Sequence, residues 1–139
     1  QVLDVANVSF GCFLDHSTYI SHWTEASDDD SLDISLHLEH DIQSLSVYMS
    51  VDSPYSDVPG PTEKLIIPYT GIENFVLVCS RNREDTTLFF PLNSVPRCFK
   101  TKTITNMYEE TYVQEDRILS FSSCTPDVIG SSSVLAVHI

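Results

Sequence analysis

Metal binding is the first chemistry these residue types invite. Five histidines and twenty carboxylates stand in a chain of 139 residues. Asp28, Asp30 and Glu39 fall at the first, third and twelfth positions of a calcium-loop spacing. The sixth position of such a loop needs glycine for its sharp turn, and here it is Asp33. Leu32 to Leu38 also alternates as a strand does, which that loop cannot do. His37 and His40 do not easily meet on one ion from an extended chain and read as solvent-facing. No metal and no cofactor is expected. Nucleophilic catalysis has no G-x-S-x-G elbow to support it. A glycosidase-like pair can be drawn from so many acids that the possibility carries no information. Tyr108 and Tyr112 suggest an aromatic binding face, but a strand tyrosine more often packs inward with its hydroxyl bonded, and Tyr108 is read so, as a core tyrosine. The expectation is a protein that is not an enzyme.

The four cysteines, Cys12, Cys79, Cys98 and Cys124, include no C-x-x-C pair. They argue for two disulfides rather than zinc, with three pairings open. Asn7-Val8-Ser9 is the one glycosylation sequon and fits the same oxidising, extracellular setting. Gln1-Val2-Leu3-Asp4 lacks the basic start and apolar centre of a signal peptide, so the chain reads as mature or trimmed. No apolar run approaches the roughly 18 residues of a spanning helix, so membrane insertion is not expected. Twenty acids against seven bases leave a net charge of −13. That field disfavours nucleic acid and anionic membranes, both of which need clustered Lys and Arg. It permits a cationic partner; it also serves solubility alone.

The elements that must position these groups are strands. Val2 to Ile20 reads as a first strand region, and Trp23 to Asp30 as a polar loop. Leu32, Ile34, Leu36 and Leu38 alternate with Asp33, Ser35, His37 and Glu39. Leu45, Val47, Met49 and Val51 alternate with Ser44, Ser46, Tyr48 and Ser50. This predicts a hairpin with one dry face and one wet face. Pro54, Pro59, Gly60 and Pro61 make Ser53 to Glu63 a loop. Leu65-Ile66-Ile67 and Phe75-Val76-Leu77-Val78 read as strands buried on both faces, and Arg81 to Asp85 as a charged turn. From Thr86 onward the pattern predicts a strand at Leu88 to Leu92, a corner at Cys98, and a hairpin bearing Tyr108 and Tyr112. An acidic turn at Glu115-Asp116 follows, then a return through Ile118 to Phe121 into Cys124. Val134 to Ile139 reads as a last strand or a linker. The sum is one all-β domain over 1–139, an antiparallel Ig-like β-sandwich, with about 1–6 and 130–139 as linker or terminal strand.

Phe90-Pro91-Leu92, Cys98, Tyr108 and the run from Ile118 to Cys124 together resemble the N-terminal module of the zona pellucida family, ZP-N. The resemblance is carried by the C-terminal third of the chain. It implies a ZP-N-type sandwich with two intramolecular disulfides, Cys12–Cys124 and Cys79–Cys98. It further implies an extracellular egg-coat glycoprotein, one copy from an array, associating with neighbouring ZP-N modules in a filament. The partner so implied is a basic sperm protein of the lysin type. For such a partner the candidate residues are two acidic groups. One is Asp28, Asp29, Asp30 and Asp33; the other is Glu109, Glu110, Glu115 and Asp116. The alternative is a secreted immunoglobulin-like receptor or immune-modulator domain, with Trp23 as its core tryptophan.

Overall fold

The structure is a computed structural model. It describes the chain except 16–17, 29–31, 52–61, 74–76, 83–84 and 122–123, and gives backbone only at 77, 79–82 and 85. Two antiparallel sheets pack face to face. Sheet A has the order β1 (Val2–Asp4), β4 (Leu32–Glu39), β5 (Ser44–Val51), β6 (Thr62–Pro68), β9 (Arg97–Thr105), β10 (Thr111–Ile118). Sheet B has the order β3 (Tyr19–Ala26), β2 (Asn7–Phe13), β11 (Val134–His138), β8 (Asp85–Pro91), β7 (Leu77–Asn82). A short helix α1 (Pro126–Ser131) and a 3₁₀ turn (Tyr69–Gly71) complete the described elements.

The alternating hairpin forms, but not as cleanly as its pattern predicts: Ser44 and Ser46 of the expected wet face are buried, and Val51 of the expected dry face is exposed at the strand end. Ile34 pairs with Met49 and Leu36 with Val47. Ile34, Leu36, Leu45, Val47 and Met49 are buried, while Leu32 and Leu38 are half-buried and Asp33 is exposed. One face therefore enters the core, since a strand turns alternate residues to opposite sides. The facing wall comes from Val8 and Phe10 of β2 and Leu135 and Val137 of β11. Trp23 stacks between Phe10 and Phe121, with centroids 5.7 and 5.8 Å away. Gly11 sits at a bulge between β2 and β3, where any Cβ would lie 1.9 Å from the Ile20 carbonyl oxygen. No other residue fits there.

Several expectations need correction. Trp23 to Ala26 is strand, not loop. Thr62 and Glu63 belong to β6; the rest of the proline-rich stretch, 53–61, lies outside the described residues, as do Phe75 and Val76. Ile66 is half-buried, and Val78 is 57% exposed, so neither apolar run is buried on both faces. The charged turn lies only partly in the described residues. The turn after β9 falls at 106–110, and Glu115-Asp116 runs inside β10. Val134 to His138 is no linker: β11 is the middle strand of sheet B. Tyr108 is not a core tyrosine, being 75% exposed at that turn.

Neither expected disulfide is present: Cys12, Cys98 and Cys124 are free thiols. Cys98 could not meet Cys79 because their strands lie at opposite flanks of the sandwich. Trp23 on Phe121 puts the β3 edge over the β9–β10 side of sheet A. Leu3 of β1 and Leu88 of β8 line one cavity, which puts β7, carrying Cys79, near the other flank. Cys12 and Cys124 are separated by α1. Cys124 precedes the helix, and Cys12 reaches Ser132 beyond its end through His22. Cys12 Sγ instead lies 3.7 Å from His22 Nε2, and Cys124 Sγ bonds the Thr125 carbonyl at 3.5 Å.

Candidate partner-binding surface

Cross-strand register assembles the outer face of sheet A. Asp33 pairs with Ser50, Ser50 with Thr62, Thr62 with Thr101, and Thr101 with Glu115. One row thus crosses five strands and carries a carboxylate at each end, about 19 Å apart at four strand spacings. The next row is Ser35, Tyr48, Lys64, Phe99 and Arg117. Ile66 follows on the same face, because Leu65 and Ile67 point into the core. Tyr48, Ile66 and Phe99 are half-buried here and form an apolar strip between the charged ends.

Local contacts fix that strip. The His37 ring lies 4.3 Å from Tyr48, and Ser35 Oγ is 3.0 Å from His37 Nε2. Lys64 bridges Glu115 at 2.9 Å and lies 5.5 Å from the Phe99 centroid. Burial raises the Tyr48 phenol above its ordinary pKa, and the Glu39 carboxylate adds to that rise. Ser46 donates to Glu39 at 2.8 Å, so that acid is held within the face.

Past Thr101, among the described residues, β9 pairs with β10 alone, and the two make a ribbon. Asn106 closes its tip. Asn106 Oδ1 accepts the backbone N–H of Tyr108 at 2.9 Å and of Glu110 at 3.0 Å. Glu109 takes a left-handed φ of 61° within that turn. The ribbon exposes Met107, Tyr108, Tyr112 and Val113. Glu109 and Glu110 flank them, both exposed.

The second acidic group is thereby divided. Glu115 lies on the outer face with Lys64, whereas Asp116, one residue on, turns to the opposite side and accepts from Gln114 Nε2 at 3.0 and 3.1 Å. Of the first group, Asp29 and Asp30 lie outside the described residues. Asp28 and Asp33 border a cleft of about 390 Å³ together with Asp4, which the sequence did not single out. Tyr48, Ile66 and Phe99 were also not singled out as a site; the spacing of any one strand cannot reveal a row that runs across five. Asn7 opens β2 with a half-buried side chain, and Ser9 of its sequon is hydrogen-bonded to the Tyr19 hydroxyl at 2.8 Å.

Among the described residues no group of three His, Cys, Asp or Glu is placed to hold a metal ion. Among them, too, no helix is long and apolar enough to cross a membrane. No protein-family model matches the chain, and no curated protein matches it.

Proposed function

We propose that this chain is an extracellular recognition module of the ZP-N kind, an egg-coat repeat that receives a strongly basic sperm protein without catalysing a reaction. On this reading it resembles a repeat of the abalone vitelline envelope receptor for lysin. The observation that carries the reading is the outer face of sheet A, where the strip of Tyr48, Ile66 and Phe99 lies beside a row ending in Asp33 and Glu115, on a chain of net charge −13. A basic partner is drawn in by the acidic rim and held by the strip, since rim charges mainly set encounter rates. Among the described residues β10 is the edge of sheet A, to which a neighbouring module in the coat can add a strand. The cysteine pairing of the family does not enter this reading.

Binding kinetics with a basic sperm protein of the lysin type test it. Raising salt to about 0.5 M, where the Debye length falls below 10 Å, slows association several-fold and changes dissociation little. Asp33→Asn with Glu109→Gln and Glu110→Gln reproduces the slower association, while Phe99→Ala speeds dissociation. An association rate indifferent to salt and to the three neutralisations removes the rim from the argument. The second reading, an immunoglobulin-like receptor domain, draws on the stacking of Trp23 between Phe10 and Phe121; binding to no basic partner, together with a marked loss of stability in Trp23→Phe, favours it.

A further inference from the structure

Cys12, His22 and Ser132 come from β2, β3 and the residue after α1, and they meet in a line. Cys12 Sγ lies 3.7 Å from His22 Nε2, and His22 Nδ1 lies 3.2 Å from Ser132 Oγ. Ser132 Oγ in turn donates to the Val128 carbonyl at 2.6 Å. That last bond decides the others. A serine hydroxyl has one proton, and the Val128 carbonyl takes it, so Ser132 can only accept from His22. Neutral His22 therefore carries its proton on Nδ1 and offers the Nε2 lone pair to the Cys12 thiol. This is the arrangement of an activated nucleophile: a thiol, a base within reach, and a third group orienting the base.

The surrounding backbone limits what such a thiol can do. Acyl transfer needs free N–H donors where an oxyanion develops. The nearby N–H of Ser132 bonds the Val128 carbonyl at 3.1 Å and that of Ser133 bonds the Gly11 carbonyl at 3.0 Å. Attack on a disulfide develops no oxyanion and needs no such donors. Cys12 is also half-exposed, whereas Cys98 is 1% exposed.

We infer that Cys12 is a thiol–disulfide exchange site, with His22 as its base and Ser132 as the residue positioning that base, and that its co-reactant is a low-molecular-weight disulfide. Cys12 Sγ attacks one sulfur of the reagent and its proton passes to His22 Nε2. The reagent's S–S bond breaks, and the departing thiolate takes that proton. One mixed disulfide forms at Cys12 and one thiol is released, so sulfur, electrons and proton balance. The inference is independent of the partner-binding reading.

The test uses the full, reduced chain with glutathione disulfide at neutral pH, followed by site-resolved mass spectrometry. Cys12 is modified about tenfold or more faster than Cys124, which is also half-exposed. His22→Gln abolishes that lead, in keeping with the 10²–10⁴-fold typical of positioned acid–base groups. Ser132→Ala slows the reaction several-fold and Ser132→Thr restores it, which loss of structure alone would not produce. Equal rates at Cys12 and Cys124 in the unaltered chain, or a His22→Gln rate unchanged from it, overturn the inference. Should His22→Gln fail to fold, the Ser132 pair and the comparison of the two cysteines still decide.

Discussion

Strands β4 and β10 are both eight residues long and both belong to sheet A, yet they bury opposite amounts. Strand β4 alternates, sending Ile34 and Leu36 into the core. In β10 only Gln114 and Ile118 are even half-buried, although the strand also carries Tyr112 and Val113. The difference is neighbours. Strand β4 lies between β1 and β5 with sheet B beneath it, whereas β10 has β9 on one side and nothing described on the other. Strand formation needs a ladder and suitable residues; burial needs a second layer. A strand with the first and not the second either frays or finds a partner, and that is the physical ground for placing recognition on this side of the molecule.

The largest test of the contrast is truncation at matched depth in the two strands. Leu36→Ala should destabilise the fold by about 2–5 kcal/mol, through lost transfer energy and a core cavity. Tyr112→Ala should change it by roughly 0.5 kcal/mol or less, as exposed substitutions do. Chemical denaturation of the two variants gives both numbers. Comparable losses would mean that the ribbon is packed as the body is.

The same contrast explains which parts of the fold the sequence disclosed. Alternation at Leu32–Leu38 and Leu45–Met49 reports a buried face directly, so that hairpin and its core side were legible, though Val51 at the strand end is exposed. Strand β3 was not, because Tyr19-Ile20-Ser21-His22-Trp23-Thr24-Glu25-Ala26 is an edge with little buried and reads as polar chain. Helix α1 has six residues and buries Ile129 alone, too little for a period to show. Tyr108 reads as inward only if it stands on a strand, while the local signal lay in Asn106, a residue that bonds its own backbone and marks a turn. The cysteines misled because paired cysteines were inferred from number and spacing, whereas contact depends on which flank each strand takes. The acidic row was invisible for a related reason. Asp33 and Glu115 are brought onto one face by four successive strand pairings that no single segment encodes.

Strand β9 crosses from one regime to the other, and its buried end gives the next prediction. Burial pushes the Cys98 thiol from about 9 up to about 12, with the nearby Cys124 sulfur adding to the shift. The folded form thus holds its proton where the unfolded chain has lost it. A raised value contributes stability that is complete below the unfolded pKa and is lost as pH rises through the folded one. Stability should therefore fall between about pH 9 and 12, by about 1.4 kcal/mol per pH unit from this one group. Tyr19 and Tyr48, both raised mainly by burial, add to the fall at the upper end. Cys98→Val, similar in size and unable to ionise, should flatten the slope relative to the unaltered chain. Identical slopes in denaturant titrations across this range would show that Cys98 is solvated and that β9 is not anchored in the core.

The smallest effect lies at the ribbon's tip and bears most directly on whether it behaves apart from the body. Asn106→Ala removes two side-chain hydrogen bonds to the backbone of Tyr108 and Glu110. Exposed bonds of this kind are worth about 1 kcal/mol together, because water replaces much of what is lost. If the ribbon opens independently, that loss appears locally. Amide hydrogen exchange from Thr103 to Val113 should quicken about fivefold, the factor corresponding to roughly 1 kcal/mol, while the melting temperature stays unchanged. Glu109→Gly should act in the opposite sense, since glycine holds the left-handed backbone at that position without the penalty a side chain incurs. Exchange there should slow, again with no change in melting. A melting temperature that moves with either substitution would show that the tip is coupled to global unfolding. The hairpin would then be part of the body, and its exposed Met107, Tyr108, Tyr112 and Val113 would no longer count as a surface free to order on a partner.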